Sequence, residues 1–156
     1  MSLINVKNYF KKYKKDKDII VLEESSATVT EAAKALNTTE GEIAKTLSFL
    51  VDNKPILIVV EGTAKISNSL YKAFFHEKAH MISYEEVEKY IGHAPGGVCP
   101  FAINEDVTVY LDESLKVHDY VYPACGSSNS AIKLSISELE KYSNYKEWIN
   151  VCKKEQ

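Results

Sequence analysis

Apolar residues recur along this chain with two different periods. Near the N-terminus, Leu3, Val6, Phe10 and Tyr13 repeat at three- and four-residue spacing. That spacing predicts an amphipathic helix over 3–15 with a lysine-rich outer face. A short strand is predicted at 19–22, which is apolar throughout. Thr28-x-x-Glu31 and Thr39-x-x-Glu42 are capping boxes. The first opens a helix to about Leu36. The second predicts a turn or two of helix around Ile43, Ala44 and Lys45. The strongest pattern follows, with 46–51 and 55–61 flanking Asp52-Asn53-Lys54 as a β-hairpin. Its second arm is apolar without a break from Ile56 to Val60, as in a strand covered on both faces. Further helices are predicted at 68–75 and at 83–91, the latter stopped by Gly92. Strands are predicted at 107–111, 118–122 and 131–135. A closing helix begins at Ser137, with another run around Trp148. Hairpins mixed with short helices, without regular βαβ alternation, predict an α+β fold. Its sheet is expected to be mixed, largely antiparallel and barrel-like, flanked by short helices.

The chain has 156 residues, which sets an expectation of one domain over 1–156 with a core at about 20–143. Its longest purely apolar run, 56–60, is far short of the about 20 residues a membrane span needs. No membrane association and no signal peptide are expected. Three widely spaced cysteines, Cys99, Cys125 and Cys152, form no CxxC pair. They point to free thiols and a reducing, cytoplasmic setting. Monomer is the default expectation. All 19 basic residues are lysines, and the net charge is −3. Bidentate guanidinium recognition is therefore excluded, and anion contacts fall to Lys, backbone N–H groups or hydroxyls. Charge is uneven: Lys11, Lys12, Lys14, Lys15 and Lys17 cluster near the N-terminus. Such a cluster reads either as a solvated face or as a contact for an RNA backbone.

Two loops and one lysine carry candidate chemistry. Gly92-His93-Ala-Pro-Gly96-Gly97-Val-Cys-Pro100 holds three of the six glycines and two of the four prolines. It reads either as a tight turn or as a run of backbone N–H groups that cradles an oxyanion. Gly126-Ser127-Ser128-Asn129-Ser130 offers small donors and acceptors but lacks the P-loop spacing. A solvated turn is its alternative reading. Lys45 sits among Ile43, Ala44 and Leu47, either snorkelling to water or holding an anion. His93 is placed for acid–base work or for a structural hydrogen bond. No HExxH spacing, GxSxG elbow or other metal or nucleophile motif occurs.

Taken together, Ile43-Ala-Lys45-Thr46-Leu47, the 92–101 segment ending Pro100-Phe101, and Ala124-Cys-Gly126-Ser-Ser-Asn-Ser-Ala-Ile132-Lys-Leu134 resemble the YbaK/EbsC family. These are free-standing relatives of the editing domain inserted in some prolyl-tRNA synthetases. The resemblance runs over roughly 20–143. It implies hydrolysis of the ester between a wrong amino acid and tRNA, tRNA-Pro or a related one, without metal or organic cofactor. Mischarged tRNA is the implied partner, with a prolyl-type synthetase as a second. On this resemblance Lys45 is a functional lysine near the tRNA 3′-terminal adenosine, and Thr46 lines the same pocket. Gly96 and Gly97 supply backbone donors to the substrate carbonyl. His93, Pro100, Gly126, Ser127, Ser128 and Asn129 shape the substrate pocket. Some cysteine-clearing members carry an acidic residue just before the Ile-x-Leu of the last motif; this chain has Ala131 there.

Overall fold

The 52–53 turn is the hinge from which the sheet is built. A computed structural model describes residues 2–153. Asp52 and Asn53 both hold positive φ, 50° and 61°, as a two-residue hairpin turn requires. The hairpin they close is Ile43–Val51 (β2) against Lys54–Glu61 (β3), in register from Val51↔Lys54 to Ala44↔Glu61. The other strands are Ile20–Val21 (β1), Thr108–Asp112 (β4), Tyr120–Pro123 (β5), Ser130–Ala131 (β6), Leu134–Ser135 (β7) and Glu147–Ile149 (β8). A curled six-stranded sheet runs β7-β5-β2-β3-β4-β8, and β1 pairs separately with β6. The sheet is mixed. Its longest ladder, β2–β3, and the β5–β7 pair are antiparallel, whereas β2–β5, β3–β4 and β4–β8 are parallel.

Strand β3 explains the two cores. It lies in the middle of the sheet, and 56–60 are at most 4% exposed. Alternate side chains of a strand face opposite ways. Leu57 and Val59 enter one core with Val6, Phe10, Ile91, Phe101 and Leu139. Ile56, Ile58 and Val60 enter the other with Phe49, Tyr71 and Tyr110. The helices Ser2–Lys11 (α1), Val87–Ile91 (α4) and Ile136–Ser143 (α5) thus pack on the first face, and Asn68–Phe75 (α3) packs on the second. The helix Val29–Leu36 (α2) opens with the expected Thr28/Glu31 capping box and covers Ile43 through Ala32 and Ala33.

Four sequence-based expectations change. The Thr39/Glu42 box does form, but it yields a single 3-10 turn, and Ile43–Lys45 is strand rather than helix. Pairing with β3 and β5 supplies those residues with hydrogen bonds that a local turn would have to forgo. The run at Trp148 is likewise strand, because β4 offers Leu111 as its partner. The 131–135 strand breaks in two where Ile132 turns inward and donates its N–H to Pro123 O. The 83–91 helix is helical only from Val87.

One ion pair ties the segment after α1 to α5. Lys15 Nζ lies 2.8 Å from Glu138 Oε2 and 3.0 Å from Asp18 Oδ2. Burial alone would raise the Glu138 carboxyl, but Lys15 and the Ser135 cap together hold it below its ordinary 4.5. Lys15 is raised above 10.5, chiefly by its bond to Glu138. The Glu138 contribution is therefore present above pH 4.5 and is lost as pH falls through its lower folded value. The Lys15 contribution is present below 10.5 and is lost only above it. Lys15→Met should cost about 0.5–1 kcal/mol at pH 7, or about 2–3 °C in Tm. The gap from the parent should close in acid, as read by thermal melts across pH.

Candidate functional site

Strand β2 has a hole in its outer edge. At Ile43 and Ala44 that edge pairs with Tyr122 and Pro123 of β5. At Ser48 to Leu50 it meets 80–82, where Ile82 N donates to Ser48 O and Leu50 N to His80 O. Lys45, Thr46 and Leu47 lie between, and among the described residues no strand pairs with them on that edge. Ser48 O and Leu50 N point outward, so by the two-residue alternation of an antiparallel ladder the Thr46 N–H and C=O point outward too.

A cavity of about 290 Å3 fills this gap. It is lined by 43–47, by Ser26 to Val29 and Ala32 around the start of α2, by Gly96 and Val98, by Tyr122 and Ala124, and by Ser130 and Ala131. The wall is mostly apolar with a few convergent polar groups, the usual make-up of a small-molecule site. The volume lies at the small end for such sites, which suits a compact group.

Two polar groups of β2 await a partner. Lys45 is half-buried, and among the described residues no carboxylate lies within 4 Å of its ammonium. Desolvation lowers its pKa below 10.5; Cys152 and Glu61 oppose the shift and Lys65 adds to it. The Thr46 Oγ1 is buried and makes no hydrogen bond. Leaving a buried hydroxyl unsatisfied costs about 1–3 kcal/mol. Thr46→Val, nearly the same shape, should therefore leave Tm unchanged or raise it. If this hydroxyl meets substrate, the same variant should lose about 5–10-fold in kcat/KM, the worth of one hydrogen bond. Paired melts and rate measurements check both.

The two glycine loops touch each other beside the cavity. Gly96 has φ +89, and a Cβ there would lie 3.3 Å from Ala27 Cβ and 3.4 Å from Ser128 Cβ. Its N–H makes no hydrogen bond to the described residues. Gly97 behaves differently. Its N–H donates to Ala94 O at 3.1 Å, and a Cβ on it would sit 2.6 Å from Gly126 C and Ser127 N. Gly97 is therefore the contact between loops, and only Gly96 of the pair lines the cavity. Gly126, with φ +91, is pressed from its other side by Ser2 O of α1.

Other predicted site residues lie elsewhere. His93 is fully buried and outside the cavity wall, with Nε2 2.6 Å from Phe101 O and 3.5 Å from Cys99 Sγ. Burial lowers its pKa, and the ring is enclosed in the core away from the cavity wall. Pro100 lines a separate cleft beside Tyr9 and Tyr13. Ser127, Ser128 and Asn129 are not on the cavity wall either. Ser127 Oγ bonds Asn129 Oδ1 and Ser130 Oγ, Asn129 Nδ2 donates to Leu22 O, and Ser128 O accepts from Ser26 N. These three fix the loop's shape against 22–26. Cys99 and Cys125 are wholly buried, and burial pushes the Cys99 thiol up to about 12 and Cys125 well above its ordinary 9.0. Neither is a nucleophile at neutral pH.

Sequence reading missed the 26–29 wall and Tyr122, and it named Ser130 only as part of its loop. The Thr28 capping box marks the start of α2, but only tertiary packing brings that start to β2.

An α+β chain with a small cavity at an open strand edge, walled by two interlocked glycine loops, is the class the fold and site define. Residues 23–142 match the aminoacyl-tRNA editing domain family, and the chain belongs to it. Relatives agree with that membership. The uncharacterized protein YwhH of Bacillus subtilis (strain 168) is 47% identical over 154 residues, covering 98% of both chains. The proline–tRNA ligase of Limosilactobacillus fermentum is 32% identical over 95 residues, 57% of this chain but 17% of the ligase. This chain thus spans a small part of those ligases. A solved structure described as a "putative trans-editing enzyme for prolyl tRNA synthetase" shares the fold, with TM-score 0.87, 24% identity and 98% of each chain covered. Among the described residues no helix is long and apolar enough to cross a membrane.

Proposed function

We propose that this protein acts in trans as a deacylase of mischarged aminoacyl-tRNA, on tRNA-Pro or a close relative, in company with a prolyl-type synthetase. The observation that carries the reading is the open window of β2. There Lys45, half-buried and without a carboxylate within 4 Å among the described residues, the unpartnered Thr46 hydroxyl and the outward main-chain groups of Thr46 line one small cavity. The family membership and the likeness to ligase segments support the substrate class.

In the proposed reaction the aminoacyl ester occupies the cavity. Water, or a hydroxyl of the terminal ribose, attacks the carbonyl carbon. The C–O bond to the ribose breaks, its oxygen takes a proton, and free amino acid and tRNA leave; with ribose attack, water completes the hydrolysis in a second step. The carbonyl oxygen gains charge on the way, and one preorganised donor to it is worth about 3 kcal/mol. Gly96 N–H is our candidate donor. Gly97 holds Gly96 in place instead of donating, because its own N–H is spent on Ala94 O. Lys45 holds the negative charge of the terminal nucleotide, and Thr46 Oγ1 reads the aminoacyl group. Ala131, small and on the wall, leaves room where an acidic residue would favour another substrate.

A panel of tRNAs each carrying a wrong amino acid tests this. Turnover of at least one prolyl-type substrate above the spontaneous rate is expected. Binding without turnover would show a non-catalytic module, and equal turnover of simple esters lacking RNA would show a small-ester hydrolase; either result rejects the reading.

A further inference from the structure

A second cleft, of about 540 Å3, lies between α1, the 100–107 loop and the end of α5, away from the cavity just described. Its wall is more polar than apolar and has three notable elements. Tyr9 in α1 and Tyr13 just beyond it contribute half-buried rings whose centroids are 5.8 Å apart, with the Tyr9 hydroxyl donating to Tyr142 O. Lys12 and Lys141 stand exposed at its rim, Lys12 Nζ being 4.3 Å from the Tyr9 ring centroid. Ser143 lines it, is 0% exposed, and its Oγ has no hydrogen-bond partner. Buried hydroxyls are seldom left without a partner.

We propose that this cleft binds a nucleotide of the same tRNA whose ester lies in the β2 cavity, an inference that rests on the proposed function. Aromatic faces beside cations are the recurring device for single-stranded nucleic acid: rings stack on bases, cations hold phosphates. Among the described residues no carboxylate lies within 4 Å of Lys7, Lys11, Lys12, Lys14 or Lys141. Glu105, also on the wall, is the one opposing charge there. With no arginine in the chain, lysines and tyrosines are the groups left for this work.

The geometry links the two sites. α1 begins at Ser2, packed on Gly126 beside the cavity, and ends at Lys11 by the cleft. The basic N-terminal segment is thus assigned to the RNA near its acceptor end.

The test uses the full chain with Lys12→Glu and Lys141→Glu together, both exposed and both outside the catalytic cavity. Three readouts are taken: affinity for uncharged tRNA-Pro across salt, deacylation of mischarged tRNA, and deacylation of an aminoacyl ester of a single nucleoside. The proposal expects tRNA affinity to fall at least 10-fold, and the slope of log K against log salt to shrink by about 1–2, near one per lysine. It also expects weaker full-length turnover with the nucleoside ester unaffected. Ser143→Ala should weaken tRNA binding without altering the salt slope. Unchanged affinity and slope in the double variant overturn the proposal. Loss of synthetase binding with tRNA affinity intact also overturns it, making the cleft a protein contact. If the parent deacylates nothing but the double variant still loses tRNA affinity, the proposed function fails and the cleft stands.

Discussion

Replacing Lys45 with Ala should remove about 100-fold or more from kcat/KM for deacylation of mischarged tRNA, since one preorganised polar group in a desolvated site is worth about 3 kcal/mol. The fold should survive. Lys45 is half-buried, with no carboxylate within 4 Å among the described residues, so it gives the folded state no ion pair to lose. Its pKa is lowered by desolvation, which means the folded protein holds this charge at a cost. The sign follows. Between its folded value and 10.5 the unfolded chain binds more protons at this site, so its penalty fades as pH rises through the folded value. Lys45→Ala should therefore melt at the parent's temperature or slightly above at pH 7. The proposed catalysis should show the opposite pH dependence. If the ammonium holds substrate, the enzymatic rate above the spontaneous one should decline with rising pH before 10.5 is reached. Paired rate and melting measurements on purified variants check both halves. A variant that unfolds, or one that clears substrate at the parent's rate, would contradict the role.

The second large effect concerns Gly97. Alanine there would place a Cβ 2.6 Å from Gly126 C and Ser127 N and 2.8 Å from Gly126 O. Those are backbone atoms, and they cannot retreat. Gly126 is already backed by Ser2 O of α1, which a Cβ on Gly126 would meet at 2.7 Å. Overpacking of this kind costs about 1–3 kcal/mol, or about 3–10 °C in Tm for a chain of this size. Activity should fall further than stability alone explains, because the displaced neighbour is Gly96, the cavity-facing residue of the pair. Gly96→Ala is the contrast. It meets side-chain carbons at 3.3 and 3.4 Å, and its φ of +89 adds strain of about 1 kcal/mol. It should melt higher than Gly97→Ala yet still narrow the cavity.

What the sequence made legible was local. The hairpin could be read because Asp52-Asn53 is a turn signal and 56–60 is apolar on both parities. The α2 start could be read because Thr28 and Glu31 satisfy each other without help from the rest of the chain. Lys45 and Gly96 were marked by their own neighbourhoods and given roles by the resemblance, and both line one cavity. What escaped depends on long-range pairing. Ile43–Lys45 follows a valid cap, yet strand partners at Val60, Glu61, Tyr122 and Pro123 decide its conformation. His93 and Pro100 sit in a glycine-rich loop, but one faces the core and the other a different cleft. Only the path of the loop decides that. The window at 45–47 has no signature in the sequence, because it is a gap between two partners distant in the chain.

Backbone amide resonances report most directly whether this window holds the scissile ester. The probe is a non-hydrolysable aminoacyl-adenosine amide, titrated into the isotope-labelled full chain. The account predicts saturable shifts at Thr46, Gly96, Val98 and Ser130, with Asp112 and Tyr71 silent. Saturable binding that leaves the Thr46 and Gly96 amides unmoved would contradict it.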